Sequence, residues 1–555
     1  MSVSLLLESI LAKQKEQYPQ ISEDDFFEIY CANNILINHD LSAEELDRGI
    51  VDGSKDGGID SVFAFVNRQV LAEDFDYSNI KQPVEIELFV IQSKNQDSFK
   101  EGPIDKLASS LPMLLDENQT AETLEGIFKT EVISVFQSFI SAMRSLAGEF
   151  PNISINIFYC CKGSGPNDTM VAKSNNLVST LNEKYPSVDF EFLGSDALYN
   201  RSSKQKRLVK MLPLVNSPLS GANSYVALCT LKSYIGFISD DDDSVLTRIF
   251  EANVRAYQGE VEVNKEIAAS LKNPTDGVDF WWLNNGVTVV ADAAQFNSNQ
   301  LVIENPLIVN GLQTSHELYK YAADLPDDDQ RLVLVRVIVE TDREKRDEII
   351  RATNRQTNIK HSSFRATEPI HKEIEDYLLT QGYFYDRRKN YHKREGKPAD
   401  KIISIDRLAQ GVLALLQQQP HVARARPTTA IKAEKDYAKI FSTDKDTHPL
   451  ELYGITARLM WEIDSYFRKI ATPENQVYRN NLKFHVLMVL GWTLNKNRTL
   501  PAQRIRQLNL GSLDEALIST VVDWVFEQFG DAGPEDRTAK DSGFTGWLQN
   551  NWILA

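Results

Sequence analysis

Three polar residues, Asp60, Gln92 and Lys94, have the chemical types and spacing that metal-assisted hydrolysis of a phosphodiester requires. This reaction needs a divalent metal ion to polarise a phosphoryl oxygen and acidify a water molecule, and it needs a cation to stabilise the developing charge. Asp60 can bind Mg²⁺, and Gln92 can add a neutral amide oxygen. Lys94 can orient or deprotonate the attacking water. We therefore predict a reaction centre at these three residues.

The local sequence indicates how these side chains would be presented. Gly57 and Gly58 precede Asp60, and glycine leaves room for a phosphate or a metal ion to approach the backbone. Gln92 and Lys94 end an apolar segment, VEIELFVIQSK, that is typical of a strand. Because alternate side chains of a strand point to one face, Gln92 and Lys94 should project together. The prediction requires these two distant segments to converge on one pocket.

The wider pattern of residues 1–205 predicts a mixed α/β domain with helices flanking a sheet. Ser22 is a good N-cap for a helix over residues 23–37, and SVFAFV alternates as a strand after the Gly-rich turn. Further helices are predicted over 103–115, 130–149 and 171–185, and further strands over 153–161 and 188–193. A polar, basic stretch over 200–207 marks the first predicted boundary.

The order GGID followed by QSK resembles the PD-(D/E)xK nucleases, and more closely their restriction-endonuclease-like branch, over roughly residues 20–200. The resemblance implies an endonuclease dependent on Mg²⁺ or Mn²⁺, with Asp60 and Gln92 as metal ligands. Gln92 departs from the family because it replaces an acidic residue, and a single carboxylate holds Mg²⁺ weakly. In the resembling families a glutamate on the first core helix often supplies the second carboxylate, which points to Glu28. Glu45 is the other candidate.

A second block, over residues 222–400, has predicted strands near 287–290, 307–309 and 332–340, with helices between them, and is therefore also α/β. It carries five motifs, which are FEANVR from Phe250, FWWLNNG from Phe280, IVNGLQT from Ile308, NRQTN from Asn354 and YDRR from Tyr385. In this order they resemble the AIPR family, named for abortive infection phage resistance. The resemblance implies a role in bacterial defence against phage, and it states no reaction for this block.

The Asn-Asn-Gly of FWWLNNG suits a tight turn with positive φ, and Val309-Asn310-Gly311 should close a strand and could open a helix at Thr314. The strand-to-helix turn after IVNG could hold a phosphate on its backbone N–H groups. Equally, the asparagines could be structural and satisfy buried backbone groups through their side chains. If a nucleic-acid or nucleotide site exists, its candidate residues are Arg255, Asn285, Asn310, Gln313, Asn354 and Gln356.

A locally basic stretch, RRKNYHKREGK over 387–397, is the first place to seek phosphate contacts, with Arg387 and Arg388 as candidates. Tyr391 and His392 could stack on exposed bases. The alternative is that this charge run is a solvated face. Beyond it, residues 401–555 show long helical patterns, and we predict an all-α C-terminal region.

Bulk properties limit the class of protein. The net charge of −18 argues against a surface that attracts nucleic acid everywhere, but it does not exclude a local basic groove. Four cysteines are too few and too irregularly spaced for a disulfide framework or a zinc site. The chain shows no signal peptide, no membrane-spanning stretch and no Walker motif. We expect a cytoplasmic protein without ATP-driven translocation.

Together these features predict an endonuclease that cleaves DNA within an anti-phage defence system. The AIPR block and the helical tail would sense a phage-derived trigger, position the substrate or mediate self-association. A homodimer is expected because cleavage of a duplex needs two active centres. Two alternatives stay open, which are a sensor or binding protein with a non-catalytic nuclease fold and an RNase that causes growth arrest.

Overall fold

The computed structural model of this chain describes residues 3–552 except 40, 52, 79, 81, 83, 204–207, 223, 240–244, 251–261, 273–277, 327, 355–367, 388, 427–430, 432, 473–474 and 509. Over these residues, two α/β regions are followed by a helical region, as the sequence predicted. In this described part, no helix combines the length and apolar character needed to cross a membrane.

The N-terminal region contains one mixed sheet with helices on both faces. Its strands are β1 (Ser61–Val66), β2 (Gln69–Val70), β3 (Glu85–Lys94), β4 (Asn152–Cys161) and β5 (Val188–Leu193). Its helices are α1 (Val3–Lys15), α2 (Glu23–Ile35), α3 (Ala43–Gly49), α4 (Glu101–Leu114), α5 (Ala121–Leu124), α6 (Thr130–Ser145), α7 (Asp168–Asn182) and α8 (Ser195–Ser203). Short 3₁₀ turns follow α2 and α6, at Ile37–His39 and Ala147–Glu149.

The strand order of this sheet is β2-β1-β3-β4-β5. Strand β1 is antiparallel to β3, whereas β3, β4 and β5 are mutually parallel. One face of β1 and β3 packs on α4, α6 and α7, and the other packs on α1, α2 and α8. Because both faces are buried, the central strands are apolar almost throughout. The start of β1 and the end of β3 therefore meet at one edge of a rigid sheet.

Local sequence signals predicted several helix and strand boundaries correctly. The Ser22 side chain accepts a hydrogen bond from Asp25 N and begins α2 where it was predicted. Strand β5 has its predicted bounds. Helix α7 begins at Asp168, earlier than predicted, because the Asn167 side chain caps Met170 N. The hydrophobic periodicity alone begins later than this cap and therefore misses the first turn.

The middle region contains two sheets, β10-β11-β6 and β12-β9-β13-β8-β7. Its strands are β6 (Val209–Pro213), β7 (Leu219–Gly221), β8 (Ser224–Thr230), β9 (Val287–Ala291), β10 (Ala293–Asn297), β11 (Gln300–Glu304), β12 (Leu307–Asn310) and β13 (Leu332–Val339). Its helices are α9 (Leu231–Ile238), α10 (Glu262–Lys272), α11 (Phe280–Leu283), α12 (Leu312–Lys320) and α13 (Arg343–Asn354), with 3₁₀ turns at Thr247–Phe250 and Ala322–Asp324. Strands β9 and β13 pair in parallel, and the other described pairs of these sheets are antiparallel.

The C-terminal region is helical apart from a parallel pair of short strands, β14 (Phe384–Asp386) and β15 (Ile402–Ser404). Its helices are α14 (Pro369–Thr380), α15 (Tyr391–Arg394), α16 (Ile405–Leu415), α17 (Pro420–Ala425), α18 (Glu434–Tyr437), α19 (Leu450–Lys469), α20 (Gln476–Asn495), α21 (Ala502–Ile505), α22 (Glu515–Asp531), α23 (Asp536–Lys540) and α24 (Ser542–Asn551). Single 3₁₀ turns lie at Ala399–Lys401 and Leu510–Ser512. Strand β15 falls within the range predicted to be all-helical, because it pairs with β14 from the preceding range.

One hydrophobic core holds this C-terminal region together, and it extends from Ile370 to Trp552. Residues 370–404 therefore pack with the C-terminal helices and not with the sheets of the middle region. The sequence placed a boundary near residue 400 because strand signals fade there. The hydrophobic core of the C-terminal region depends on long-range contacts, and it begins about one helix before that predicted boundary.

Candidate active site

The strand pairing brings Asp60, Gln92 and Lys94 together. Asp60 immediately precedes β1, and Gln92 and Lys94 lie at the end of β3. The antiparallel register sets Ser61 opposite Ile91, so Asp60 lies beside the last residues of β3. Asp60 N also donates to the Ile91 carbonyl at 3.1 Å, which fixes its backbone. Residues separated by more than thirty positions thus share one site.

The Asp60 carboxylate accepts hydrogen bonds from several groups of β3. Its Oδ2 accepts from Ser93 N at 2.6 Å and from the Gln92 amide nitrogen, and Lys94 Nζ lies 3.2 Å from both Oδ1 and Oδ2. Asp60 is 1 % exposed, whereas the Lys94 side chain is 35 % exposed. The network therefore joins a buried carboxylate to an ammonium group that solvent and a substrate can reach.

Ser93 contributes to this network although no sequence pattern pointed to it. Its side chain points to the opposite face from Gln92 and Lys94, as strand alternation requires. The group that acts is its backbone N–H, which donates to Asp60. Every residue except proline carries such a donor, so no side-chain pattern could have identified this one.

The glycines before Asp60 serve a different purpose from the one predicted. Gly57 and Gly58 have φ values of +71° and +82°, which favour glycine. A Cβ on Gly58 would lie 2.7 Å from Lys106 Cβ of α4, and a Cβ on Gly57 would lie 2.8 Å from the Phe128 ring. The missing side chains let the turn pack against Lys106 of α4 and against Phe128, so protein atoms fill the space that a side chain would take.

Glu28 lies on α2 and is buried, with 6 % of its surface exposed. Asp24 and Cys31 lie four residues before it and three residues after it, on the same helical face. Asn95 donates to Asp24 Oδ1 at 2.9 Å, and Cys31 lies in the same buried cluster as Ile91 of β3. Helix α2 therefore runs along residues 91–95, and it holds Glu28 beside this strand end, on the side to which Ser93 points.

Glu45, the other candidate for a second metal ligand, has a structural role. Its carboxylate accepts from Ser42 N at 2.8 Å and completes a capping box at the start of α3. It also pairs with Lys389 at 2.6 Å. Burial raises the pKa of Glu45, but Lys389 and the Ser42 backbone lower it by more, so its pKa lies below the usual value. The Glu45 carboxylate is therefore engaged with the start of α3 and with Lys389.

The oxygen donors at the site suit a hard divalent cation. Asp60 offers a carboxylate, and a half-turn of the Gln92 amide would present its oxygen, so the chemistry fits Mg²⁺ or Mn²⁺. Among the described residues no group of three or more His, Cys, Asp or Glu side chains could hold a metal ion. Lys94 also contacts both Asp60 oxygens, so an ion would displace at least one contact. The residues fit an ion held jointly by protein and phosphate oxygens.

In the middle region, two asparagine-glycine turns touch each other. Gly286 precedes β9 and Gly311 follows β12, and these strands are antiparallel neighbours. Their φ values are +73° and +98°, and the first confirms the predicted turn with positive φ at the Asn-Asn-Gly motif. A Cβ on Gly311 would lie 3.1 Å from the Gly286 carbonyl oxygen. Two of the five motifs therefore meet at one edge of the sheet.

The polar candidates at this edge differ in their surroundings. Asn310 Nδ2 donates to the Thr353 carbonyl at the end of α13, at 2.5 Å, so its role is structural. Asn285 is exposed. Gln313 lies in the first turn of α12, and its Oε1 and the Oγ1 of Thr288 are buried without a hydrogen-bond partner among the described residues. Asn354 is the last residue of α13. The remaining candidates, Arg255, Gln356 and Arg388, lie outside the described residues.

The predicted phosphate contact at Arg387 is not available in this structure. Its guanidinium pairs with the Glu375 carboxylate at 2.7 Å, and its side chain is 7 % exposed. His392, a predicted stacking residue, is also buried, and its ring packs against Phe384. Lys393 contacts Asn33 of α2 at 2.9 Å. This basic stretch is therefore built into the protein, where it joins the C-terminal and N-terminal regions.

We expect Arg387→Ala to lower stability and to leave nucleic-acid affinity unchanged. Removing the arginine breaks the ion pair with the Glu375 carboxylate, which is 15 % exposed. The loss should be about 3 kcal/mol in the free energy of unfolding. Chemical denaturation and fluorescence anisotropy with labelled DNA would measure the two properties. Arg506→Ala, which breaks a half-exposed pair with Glu451, is the matched control. Weaker DNA binding at unchanged stability would restore the phosphate role.

Comparison with known families assigns part of the chain. Residues 250–524 match the family model described as AIPR protein. Searches of curated proteins and of solved structures each returned no match. The matched segment begins at the first of the five motifs, contains all of them and continues through most of the helical region. Residues 250–524 of this chain are therefore similar to the AIPR family.

Proposed function

We propose that the chain is a metal-dependent nuclease of a bacterial anti-phage defence system and that its N-terminal region hydrolyses DNA phosphodiester bonds. The observation that carries the proposal is the single hydrogen-bond network of Asp60, Gln92 and Lys94 at a solvent-accessible strand end. The AIPR match supports a role in defence. The order of helices and strands in the N-terminal region is compatible with the PD-(D/E)xK resemblance.

Each residue of the network would have a distinct role. The Asp60 carboxylate is held in place by Ser93 N and by its own backbone bond to β3, so an incoming ion would displace Lys94 and turn the Gln92 amide but leave the carboxylate itself in position. Mg²⁺, when bound, polarises the phosphoryl oxygen and acidifies a water molecule. Lys94 can leave one Asp60 oxygen on its flexible stem and stabilise the charge on the phosphate. Gln92 would supply an amide oxygen, and Glu28 would add a second carboxylate by reaching around the end of β3, because its helix packs on the opposite face of the strand from Gln92 and Lys94.

The proposal extends to assembly and activation. A homodimer would place two centres on the two strands of a duplex, and a phage-derived component would act as the trigger through the AIPR segment. Light scattering of the full chain, with and without DNA, tests the first of these statements. A monomer under both conditions would contradict the dimer.

A second candidate function is a sensor or binding protein whose nuclease fold is not catalytic. One observation favours it, since Ser93 N, Gln92 and Lys94 already satisfy both oxygens of Asp60 without a metal ion. Such a network is also what a purely structural buried carboxylate requires. The two candidates therefore differ in whether Lys94 exchanges its carboxylate partner for a phosphate.

The deciding experiment incubates the full chain with plasmid, phage DNA and total RNA in Mg²⁺, Mn²⁺ or EDTA. We expect DNA cleavage with either metal ion, none in EDTA, and none with Asp60→Asn. The matched control is Asp105→Asn, because Asp105 pairs with Lys173 on the surface and has no place in the site. Cleavage of RNA alone would indicate an RNase. A folded protein that cuts neither substrate would favour the sensor.

A further inference from the structure

The two residues that follow helix α3 pair with the backbone around Asp60. Two residues after this helix, Val51 N donates to the Asp60 carbonyl at 2.7 Å, and Ile50 forms a bridge with Ser61. Gly49, the last residue of α3, packs so closely on the Phe63 ring of β1 that a Cβ there would lie 2.0 Å away. A displacement of α3 is therefore transmitted to the segment that holds Asp60, because no free space absorbs it.

The other side of α3 is held by the C-terminal region. The carboxylate of Glu45 pairs with Lys389 at 2.6 Å, and Glu44 Oε1 accepts from Ser404 N at 3.2 Å. Just before the helix, the Leu41 carbonyl accepts from Asn390 Nδ2 at 3.1 Å. The residues that make these contacts lie just before α15 and at the end of β15, within the AIPR-matched segment.

Helix α20 approaches the N-terminal region from a second direction. Burial lowers the pKa of Arg479 and Lys483 of α20, and the negative charge of Asp47 on α3 is a smaller, opposing effect on each. Asn480 of α20 donates to Glu131 at the start of α6. Helices α3 and α6 therefore both contact residues of the AIPR-matched segment.

We propose that docking of the AIPR segment on α3 sets the position of Asp60, so that Lys389 is a positioning residue for the nuclease centre. This inference rests on the proposed function. A partner or trigger that changes the docking of residues 389–404 would shift α3, and with it the Asp60 carbonyl. The physical link is a chain of three contacts, from Lys389 to Glu45, along α3, and from Val51 to Asp60.

The test reverses the charge at Lys389 and leaves Glu45 intact, because Glu45 also caps α3. In full-length Lys389→Glu, we expect amide exchange in a peptide that spans residues 46–64 to become about fivefold faster, the size expected for loss of a partly buried ion pair. We expect kcat for DNA cleavage to fall by a similar factor at unchanged KM. Lys389→Arg, which keeps the pair, should behave as the native chain.

Two controls separate positioning from general destabilisation. Lys469→Glu breaks the surface pair with Glu515 at a distant helix and should change neither exchange in 46–64 nor kcat. Exchange in strand β4 should stay constant in each variant. Unchanged exchange over 46–64 in Lys389→Glu, or equal acceleration in β4, would overturn the inference. If the native chain cuts no nucleic acid, the proposed function fails, but the exchange measurements still decide whether Lys389 holds the segment around Asp60.

Discussion

Replacing Lys94 with alanine is expected to reduce DNA cleavage by about 10²- to 10³-fold, the range found when one group that stabilises developing charge is removed from an active site. Lys94 is the cation that contacts both Asp60 oxygens and that also reaches solvent. The alanine variant should remain folded, because Ser93 N and the Gln92 amide still donate to the buried carboxylate. Activity should therefore be lost without a matching loss of structure.

Single-turnover cleavage of plasmid DNA in Mg²⁺, with thermal unfolding measured in parallel, checks this expectation. Lys173→Ala is the matched control, because Lys173 pairs with Asp105 and Glu101 on the surface of the same domain. Cleavage by Lys94→Ala at the native rate would remove lysine from the mechanism. Unfolding of the variant would instead assign Lys94 a structural role beside Asp60.

Gly286→Ala is expected to cause a large loss of stability, because it combines backbone strain with steric overlap. The φ of Gly286 is +73°, and a Cβ would lie 2.5 Å from the Leu334 carbonyl oxygen of β13. Left-handed backbone costs about 1 kcal/mol for alanine, and overpacking against a backbone atom adds roughly 2 kcal/mol. We therefore expect the free energy of unfolding to fall by about 3 kcal/mol, as measured by urea denaturation.

The chain offers a control that isolates the steric part of this effect. Gly382 has a similar φ of +80°, but no described atom lies within 4 Å of a Cβ built there. In Gly382→Ala the free energy of unfolding should therefore fall only by the cost of the left-handed backbone, about 1 kcal/mol. Equal losses in the two variants would mean that the contact between the Gly286 turn and β13 is not tightly packed, and that the glycine of the NNG motif is retained for its φ alone.

The sequence by itself determined features that depend on neighbours along the chain. Ser22 begins α2 because its side chain reaches a backbone N–H only three residues away. Gln92 and Lys94 face the same way because strand alternation is a local property. The positive φ of Gly286 follows equally from the Asn-Asn-Gly motif. In each case the local conformation is decided by interactions between residues only a few positions apart in the chain.

Only the tertiary structure decided what the charged side chains do. Arg387 is ion-paired and Lys393 joins two regions, although the composition of 387–397 equally suited a solvated or phosphate-binding face. The bond from Asn390 to Leu41 joins residues 349 positions apart. Charged groups take whichever partner packing brings near, and that choice depends on long-range burial and not on local pattern. The sequence therefore indicated the residues of the candidate site, while packing determined their partners.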